Sequence, residues 1–530
     1  MRKKAENGIL TLTGIFFLIF TLISCNYYRL SAERQSIPAS LRSVSVTINA
    51  GISEGTVYDR NMRPLVNKKR ISAAAAVPEL LDREETAVYA LDREAFMERF
   101  DTGEPFTFEC REDTPGSEGL TVFSVPVRVE KGSFSACHVI GYVSQGEGVS
   151  GVEYAYDKIL RGGCGENSVT YSADGSGNIL PGDGKDVTRS TADRPGAVLT
   201  IDSDIQKICE EAGRDIRKGA IVCADVSTGD ILALASFPEF DISDISSAVS
   251  DEDSPLLNRA LCAYSVGSIF KLVTACEGIR EGYSGYVYNC TGSFDADGKD
   301  FHCHKLDGHG IQTMQEAVTN SCNTYFISMS RLLDVKQFRE LAFDLGFGRE
   351  THLCSGMTSS AGVLPTAGEL MIPAELANFS FGQGKLTASP VQITQLTCAV
   401  ANGGKMPMLR LIKGITIDGS DTANEKPPQL SCVMDEETAL SLKKMMMHAV
   451  RDNDNSNAKA SGVIVGAKTS TAQTGRFDED GNELCHAWIT GFFPAQKPAY
   501  AVTVLIEDGG YGNDAAAPVF REIAEKISRK

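Results

Sequence analysis

The chain has 530 residues, of which 42% are hydrophobic and 23% are charged, and its formal net charge at pH 7 is -18. This composition excludes a disordered protein, and the length is enough for more than one domain. The acidic balance argues against nucleic-acid binding, because proteins that bind nucleic acids usually present a basic face. We therefore expect no nucleic-acid partner.

The N-terminus combines a basic start with an apolar run. Three basic residues at positions 2–4 precede residues 9–25, which carry no charge. As a helix this run would be roughly 25 Å long, close to the thickness of a bilayer core. The pattern predicts a membrane anchor over residues 9–28, with residues 1–8 in the cytoplasm and the rest of the chain outside. The alternative is a lipoprotein, because LISC resembles a lipobox that would be cut and lipidated at Cys25.

The next elements predict a mainly β region. A polar connector over residues 31–42 is followed by strand-like runs such as VTINAGI, TVFSVPVRVE and HVIGYV, which extend to about residue 160. Residues 162–195 are rich in Gly, Ser and Asp, which predicts a linker or a long surface hairpin.

The second half predicts a sheet built around a helical middle. AVLTIDSDIQKICEEAGRDI indicates a strand that runs into a helix, and GAIVCADVSTGDILALASF indicates a hairpin that turns at residues 227–229. Helical patterns then dominate until three strand-like runs, VIVGAKTSTAQ, HAWITGFFPA and YAVTVLIED. Strands from both ends of this half are therefore expected to share one sheet.

Fifteen cysteines are present, an odd number without a C-x-x-C pair. This scatter predicts neither a metal site nor a disulfide framework, so most cysteines are expected to be small buried residues. Cys290 and Cys303 flank a Gly/Asp-rich segment that a disulfide between them could close. His302, Cys303 and His304 suit zinc poorly, because successive residues of a strand point to opposite faces.

The stretch YSVGSIFKLVTACEG places Ser268 and Lys271 three residues apart at a predicted helix start, hence on one face. A hydroxyl beside an amine is a nucleophile beside a base, and the apolar neighbours would lower the pKa of Lys271. The alternative is that Ser268 caps the helix while Lys271 reaches water. The pair alone does not decide between these interpretations.

Two more motifs follow in order, Ser321-Cys322-Asn323 in TNSCNTYF and Lys468-Thr469-Ser470 in GAKTSTAQ. An S-x-x-K, an S-x-N and a K-T-G-like triplet in this order resemble the penicillin-recognising serine acyltransferases. With flanks such as FGQGKLTASPVQITQL and HAWITGFFP, the chain resembles a class B penicillin-binding protein, similar to penicillin-binding protein A with a short pedestal. EGTVYDRNMRPL and HVIGYVSQGEGVSGVE resemble motifs of that pedestal.

The resemblance implies an α+β fold. Residues 190–530 would form a transpeptidase domain of the serine β-lactamase and penicillin-binding type, with an antiparallel sheet between helices. Residues 43–185 would form a smaller, mainly β, membrane-proximal pedestal of the dimerisation type.

The resemblance also implies a peptidoglycan D,D-transpeptidase at the bacterial cell membrane, with its catalytic domain outside the cytoplasm. It would cross-link stem peptides of lipid-linked or nascent glycan through a serine acyl-enzyme, bind β-lactams covalently and need no cofactor. A membrane glycosyltransferase is the expected partner. Alternatives are a serine β-lactamase or lactam sensor, and a low-activity scaffold of wall synthesis.

The resemblance assigns a role to each motif residue. Ser268 is the expected nucleophile, Lys271 its base and Ser321 the proton relay. Asn323 would orient Lys271 and hold the substrate amide, while Lys468 would supply positive potential. Thr469 would bind the substrate carboxylate, and the backbone N–H groups of Ser268 and Thr471 would form the oxyanion hole. Gln383 is expected in a turn that shapes the cleft, and His486 and Trp488 are expected to brace the strand of Lys468.

The chain departs from the family pattern at four positions. Ser470 stands where glycine is usual, so that a side chain is expected where the substrate backbone would lie. Val266 replaces a common proline, Glu54 an arginine of the pedestal motif, and Met62 a glycine of the same motif.

Overall fold

The structure, a computed structural model, describes residues 14, 16–26, 28–29, 44–130, 132, 135–162, 164–174, 179–180, 184–425 and 427–530. Two compact units are formed by these residues. The first unit comprises the described residues within Met1–Ser53, Ile71–Val125 and Gly165–Ser190. The second comprises those within Glu54–Arg70, Pro126–Cys164 and Thr191–Lys530.

The strands are numbered in chain order: β1 (Val44–Ser53), β2 (Thr56–Tyr58), β3 (Lys69–Ala76), β4 (Phe106–Cys110), β5 (Leu120–Val127), β6 (Val143–Ser144), β7 (Glu147–Gly148), β8 (Gly165–Ala173), β9 (Lys185–Thr188), β10 (Gly196–Leu199), β11 (Gly219–Asp225), β12 (Ile231–Phe237), β13 (Tyr264–Ser265), β14 (Val287–Cys290), β15 (Ser293–Asp295), β16 (Asp300–His302), β17 (Gly310–Thr313), β18 (His352–Cys354), β19 (Met357–Thr358), β20 (Thr387–Ala388), β21 (Lys405–Pro407), β22 (Ile412–Thr416), β23 (Leu430–Cys432), β24 (Gly466–Phe477), β25 (Glu483–Phe493) and β26 (Tyr500–Ile506).

The helices follow the same order: α1 (residues 16–26), α2 (Arg83–Ala87), α3 (Arg93–Phe100), α4 (Cys137–Ile140), α5 (Gly151–Ala155), α6 (Asp157–Gly162), α7 (Ser203–Gly213), α8 (Ile245–Val249), α9 (Lys271–Arg280), α10 (Met314–Thr319), α11 (Asn323–Ser330), α12 (Val335–Asp344), α13 (Ala367–Leu370), α14 (Pro373–Ser380), α15 (Pro390–Ala401), α16 (Glu436–Arg451) and α17 (Ala516–Ser528).

The first unit contains two three-stranded sheets. One has the order β1-β8-β9 and is antiparallel throughout, and the other has the order β4-β3-β5. The predicted strands in VTINAGI and TVFSVPVRVE are confirmed as parts of β1 and β5. The stretch 162–195 contains the antiparallel pair β8 and β9, so the hairpin alternative is the correct one.

The predicted strand in HVIGYV is wrong at its start. His138, Val139 and Ile140 belong to α4, whose four residues are all buried. A short buried apolar run has no periodicity that separates a strand from a helix. Gly141, with φ of 80°, then ends the helix in the left-handed region, where a Cβ would meet the backbone of Ser150 at 2.0 Å.

The second unit is built on a five-stranded antiparallel sheet with the order β12-β11-β26-β25-β24. Successive residues of β11 point to opposite faces, so that Ile221 packs in one hydrophobic core and Val222 in another. Helices α7 and α17 cover the first face, while α15 and α16 contribute to the core on the second. The expected α+β architecture, with strands from both ends of this half in one sheet, is confirmed.

A smaller sheet of the second unit draws on distant parts of the chain. Strand β10 pairs in parallel with β2 and antiparallel with β22. Glu54–Arg70 and Pro126–Cys164 both belong to the second unit although they precede its main stretch. The compact units thus alternate along the chain, while the domain boundaries at 43–185 and 190–530 stay predictions.

Much of the predicted anchor, residues 9–28, lies outside the described residues, as does the connector at residues 31–42. Residues 16–26 form α1. Within the part of the chain that is described, no helix combines the length and the apolar character needed to cross a bilayer.

Candidate active site

Ser268 lies in a 3-10 turn, Gly267–Phe270, that leads directly into α9. Gly267 has a φ of 63°, and its N–H donates to the carbonyl oxygen of Gly382 at 2.8 Å. A Cβ on Gly267 would lie 2.4 Å from Ser470 Oγ, so glycine is required by both conformation and space. The predicted helix start at Ser268 is confirmed.

The amine of Lys271, the first residue of α9, is buried among oxygen atoms. Its Nζ lies 3.0 Å from Ser268 Oγ and 2.7 Å from Asn323 Oδ1. It also lies 2.6 Å from the carbonyl oxygen of Ser321 and 3.2 Å from Ser321 Oγ. Burial lowers the pKa of Lys271 well below its ordinary value, and the charge of Lys468 lowers it further. Both effects favour the neutral amine relative to an ordinary lysine.

The contacts of this neutral amine leave its lone pair for a hydroxyl. The carbonyl oxygens of Ser321 and Asn323 only accept hydrogen bonds, so they take the two N–H groups. The Asn323 amide has one orientation, because its Nδ2 donates to the carbonyl oxygen of His302 at 3.2 Å and thereby turns Oδ1 towards Lys271. The lone pair can then accept a proton from Ser268, as a general base requires.

Ser321 lies between the amines of two lysines. Its Oγ is 3.2 Å from Lys271 Nζ and 3.0 Å from Lys468 Nζ. Ser321 has a φ of 51°, a left-handed conformation that costs a residue with a Cβ about 1–2 kcal/mol. The N–H of Cys322 stabilises this turn by donating to the carbonyl oxygen of Ala317 at 2.9 Å. Such strained backbone is common where a side chain must be held for function.

Strand β24 carries the third motif along the edge of the large sheet. Lys468 is buried, and burial lowers its pKa to about 7. Because side chains alternate along a strand, Lys468 and Ser470 are buried while Thr469 and Thr471 are partly exposed. Thr471 Oγ1 accepts from the N–H of Gly512 at 3.2 Å. The structure thus brings residues of all three motifs together.

The side chain of Ser470 does not lie where the sequence predicts it. It is 2% exposed, and its Oγ donates to the carbonyl oxygen of Val266 at 2.8 Å. The hydroxyl occupies the space beside Gly267, the residue that precedes Ser268. The expectation that it stands in the path of a substrate backbone is therefore wrong, because the alternation of β24 turns it inwards.

A protein-family model matches the part of the chain that contains all three motifs. Residues 219–525, more than half of the chain, match the family model described as "Penicillin binding protein transpeptidase domain". The chain belongs to this family. The resemblance to class B penicillin-binding proteins is thereby confirmed.

Curated relatives support the family assignment over most of the chain. The chain is 30% identical over 414 residues to stage V sporulation protein D of Bacillus subtilis, an alignment that covers 74% of this chain and 62% of the relative. It is 29% identical over 429 residues to the peptidoglycan D,D-transpeptidase MrdA of Acinetobacter baumannii, with coverage of 74% and 61%. The chain thus spans about three fifths of the length of these relatives.

Solved structures share the fold. One is penicillin-binding protein A from M. tuberculosis as a ceftriaxone acyl-enzyme complex, with a TM-score of 0.63, 22% identity, and coverage of 77% of this chain and 94% of that chain. Another belongs to a structure described as "Structural coordination of polymerization and crosslinking by a peptidoglycan synthase complex". It has a TM-score of 0.69, 25% identity, and coverage of 97% of both chains.

Side chains beside the three motifs make hydrogen bonds that hold the candidate active site in place. Trp488 Nε1 donates to the carbonyl oxygen of Ser265 at 3.1 Å, and His486 Nδ1 accepts from the N–H of Asp508 at 3.2 Å. The predicted turn around Gln383 is confirmed, because Gly382 and Gly384 both have positive φ.

Sequence reasoning missed a group of side chains beside the S-x-N motif. The ligand-type atoms of Cys290, Cys303, His309 and Cys322 all lie within 4.8 Å of one another. The sequence left a disulfide between Cys290 and Cys303 open, but both are free thiols in the structure. The histidine could have been a signal, since GHG stands shortly before the motif, but nothing in the spacing joins it to the cysteines.

Proposed function

We propose that this chain is a peptidoglycan D,D-transpeptidase that forms an acyl-enzyme on Ser268 and that binds β-lactams at the same residue. The observation that carries the proposal is the buried Lys271 amine, 3.0 Å from Ser268 Oγ, with its N–H groups engaged by two carbonyl oxygens. That arrangement activates a serine hydroxyl without a histidine. The names of the relatives support the same reaction class.

Acylation begins when Ser268 Oγ attacks the carbonyl carbon of a D-alanyl-D-alanine peptide bond. Lys271 takes the hydroxyl proton as the C–O bond forms. The amine of the leaving D-alanine needs a proton, and Ser321 Oγ supplies it while accepting another from one of the two lysines in contact with it. The C–N bond then breaks, which leaves an ester on Ser268.

Transfer follows the same path in reverse. The amine of a second stem peptide attacks the ester carbonyl carbon and loses a proton as the C–N bond forms. The ester C–O bond then breaks, and Ser268 Oγ regains a proton. Because β24 is an edge strand, its free backbone groups can pair with an extended substrate. Thr469 and the charge of Lys468 would bind the terminal carboxylate of a substrate at that edge. Backbone N–H groups of Ser268 and Thr471 would bind the oxyanion.

Covalent labelling tests the proposal. A fragment of residues 44–530 incubated with a fluorescent penicillin is expected to become labelled and to keep the label for many minutes. Ser268→Ala should abolish labelling because the nucleophile is gone, and Lys271→Ala should nearly abolish it. Ser321→Ala and Lys468→Ala should slow labelling on the order of a hundredfold, as is typical for proton-relay and electrostatic groups.

The alternatives give different results in the same assay. Rapid loss of the label with turnover of free penicillin would assign the chain to the β-lactamases. A folded wild type that takes up no label, judged by circular dichroism, would contradict an acyl-enzyme on Ser268 and favour a scaffold.

The proposed location is the outer face of the cytoplasmic membrane, with residues 9–28 as the anchor. The basic residues before this apolar run and its length support the proposal. Protein extracted from bacterial membranes should require detergent and retain residues 1–24. A mature N-terminus at a lipid-modified Cys25 would contradict the anchor.

The proposed partner is a membrane glycosyltransferase that polymerises the glycan whose peptides this chain cross-links. The likeness to a chain of a peptidoglycan synthase complex supports it. Co-purification of the tagged full-length chain from crosslinked cells should recover a polymerase, and its absence from repeated purifications would contradict the proposal.

A further inference from the structure

Residues 264–267 lead directly into Ser268, and we call them the approach segment. Backbone pairing holds this segment over a short length, because β13 has two residues that pair with β20. Side chains of the large sheet add to it. Trp488 Nε1 in β25 donates to the carbonyl oxygen of Ser265 at 3.1 Å. Ser470 Oγ in β24 donates to the carbonyl oxygen of Val266 at 2.8 Å.

Tyr264 makes a third attachment of the approach segment to the large sheet. Its Oη donates to Glu507 Oε1 at 2.7 Å, directly after the end of β26. Burial raises the pKa of Tyr264, and the hydrogen bond to Glu507 raises it further, so that the hydroxyl keeps its proton and remains a donor. A hydrogen bond to a charged acceptor is roughly twice as strong as one between neutral groups. Three successive residues are thus bound by β24, β25 and the end of β26.

Arg259 fixes the carboxylate that Tyr264 contacts. Its Nε donates to Glu507 Oε1 at 2.9 Å. Its two Nη atoms donate to the carbonyl oxygens of Asp253 at 2.7 Å and Ser254 at 3.1 Å. The side chain of Arg259 is 3% exposed, and every nitrogen of its planar group is engaged, so the guanidinium has one orientation. Tyr264 is therefore tied to a carboxylate that is itself held in place.

The ring of Tyr264 is held separately from its hydroxyl. His486 and Trp488 in β25 meet the ring edge-on, with ring centroids 5.4 Å and 6.3 Å away. Phenylalanine would keep both ring contacts and lose the bond to Glu507. The hydroxyl therefore adds a directed attachment that packing of the ring does not supply.

The position of the approach segment affects acyl transfer through Ser268. The proposed oxyanion site uses backbone N–H groups of Ser268 and Thr471, so the nucleophile and β24 must keep a fixed separation. Gly267 leaves little space for adjustment, because a Cβ there would lie 2.4 Å from Ser470 Oγ. A displacement of about 1 Å can slow a reaction on the order of a hundredfold.

We propose that Tyr264 is a positioning residue for acyl transfer, which acts through its hydrogen bond to Glu507 to hold Ser268 against β24. This inference rests on the proposed function. In that function Lys468 and Thr469 on β24 bind the carboxylate of a penicillin, and neither belongs to the approach segment. Loss of the Tyr264 hydroxyl should therefore slow the chemical step and leave binding of the penicillin intact.

The kinetics of penicillin labelling of the full-length protein test this role. Tyr264→Phe should slow the first-order acylation step about tenfold and change the dissociation constant of the preceding complex less than about twofold. Tyr171→Phe in the first unit is the matched control, because this buried hydroxyl also donates a hydrogen bond, to the carbonyl oxygen of Glu118 at 3.1 Å. The control should leave both constants unchanged.

Variants of Glu507 test whether Tyr264 acts through this residue. Glu507→Gln keeps an oxygen that can accept from Tyr264 and should slow acylation less than about threefold. Glu507→Ala should slow it about as much as Tyr264→Phe, and the double variant should add little, because both changes remove the same bond. Additive effects of the two changes would contradict this route. If Glu507→Ala does not fold, the comparison of Glu507→Gln with Tyr264→Phe still tests it.

Trp488 gives a readout that does not depend on labelling, because it is the only tryptophan of the chain. Its ring contacts Tyr264, and its Nε1 binds the approach segment. Tyr264→Phe should therefore shift the fluorescence emission of Trp488, while Tyr171→Phe should keep the wild-type spectrum. An unchanged spectrum of Tyr264→Phe would show that the hydroxyl does not hold the segment.

The outcomes separate this inference from the proposed function. A labelled wild type together with unchanged acylation by folded Tyr264→Phe would overturn the positioning role and leave the proposed function intact. Equal losses of rate in Tyr264→Phe and Tyr171→Phe would also overturn it, because they would reflect a general loss of stability. A folded wild type that is never labelled would contradict the proposed function and, with it, a role of Tyr264 in acyl transfer.

Discussion

Two lysine amines contact one serine hydroxyl in this site, and their environments differ. Lys271 lies against carbonyl oxygens and is driven to the neutral form by burial and by Lys468. Lys468 has a pKa lowered to about 7 by burial alone. The lowered pKa of Lys271 makes this amine a more available proton acceptor than an ordinary lysine, while near pH 7 the Lys468 amine is protonated in a fraction of the molecules.

The pH dependence of acylation follows from these two amines. The rate constant for penicillin labelling should rise with pH as Lys271 loses its proton. It should fall above about pH 7, because Lys468 then loses the charge that attracts the carboxylate. Labelling rates at fixed ionic strength, with circular dichroism to check folding at each pH, measure the profile.

A matched variant tests whether Lys468 causes the fall in the labelling rate above pH 7. Lys468→Arg remains charged throughout this range and should be slower but lack the fall above pH 7. A wild-type rate that stays constant from neutral to alkaline pH would contradict the assignment.

Replacing Ser470 by glycine tests the position of its side chain. Ser470→Gly loses the hydrogen bond to Val266 and adds backbone freedom, which should lower the free energy of unfolding by about 1.5 kcal/mol. Labelling should change less than about threefold, because the side chain is turned away from the exposed side of β24. Ser470→Ala isolates the hydrogen bond, at about 1 kcal/mol. A tenfold faster labelling of Ser470→Gly would show instead that the serine obstructs the site.

At the scale of the element, an ion-pair cluster within the second unit joins Arg128 to α5 and α6. Glu153 is 1% exposed, and its carboxylate accepts from Arg128 at 2.6 Å and from Arg161 at 2.8 Å. Glu54 adds a second carboxylate, 3.5 Å from Arg128 and 3.9 Å from Arg161. The departure from the family arginine thus has a local reason, since an arginine at position 54 would face two guanidinium groups.

Glu153→Gln should destabilise the second unit strongly. The substitution leaves two largely buried arginines short of a countercharge, and losing one partner of a buried ion pair costs about 3 kcal/mol or more. Urea titration of residues 44–530 measures the change. Glu147→Gln, at an exposed position in β7, is the control and should stay within about 0.5 kcal/mol. Equal free energies of unfolding for the two variants would contradict the prediction and show that solvent compensates the positive charges of the two arginines.

The elements that sequence predicts well are those with local signals. The β11–β12 hairpin has a glycine in its turn, Gly229 with φ of 75°. Helix α7, which follows strand β10, has Asp202 as its N-cap. The three motifs predicted the candidate active site because their residue types and order are specific. Met62 adopts a φ of 62° that favours glycine, the residue usual at this position of the pedestal motif.

The features that sequence reasoning missed depend on pairings between distant segments. The group formed by Cys290, Cys303, His309 and Cys322 exists because β14 pairs with β17 and because α11 starts beside them. The inward turn of Ser470 depends on which face of β24 meets the nucleophile segment, and a one-residue shift in register would reverse it. Neither pairing can be recognised from the local hydrophobic periodicity of the sequence.

At the scale of the whole molecule, the second unit needs residues from before position 190. Eight buried apolar residues of its main core come from the two early stretches: Val57, Leu65, Val66, Ala136, Val139, Ile140, Val152 and Leu160. Their burial contributes on the order of 10 kcal/mol, as much as the net stability of many domains. A fragment of residues 191–530 should therefore be insoluble or unfolded.

A matched fragment makes this prediction specific. Residues 44–530 retain both early stretches and should melt cooperatively in circular dichroism, while residues 191–530 should not. Equal melting temperatures of the two fragments would show that the early stretches are dispensable.

The strand order of the large sheet also determines when the candidate active site can assemble during synthesis. Gly219 in β11 pairs with Ile506 in β26, and β24 joins the sheet only through β25. At about 5–20 residues per second, the segment with Ser268 leaves the ribosome roughly 10–40 s before β24 can reach it. During that interval Lys468 is not yet beside Ser321, and the proposed oxyanion site is unformed. If the proposed function holds, a penicillin that meets an unfinished chain would find no assembled site, and only completed molecules would be labelled.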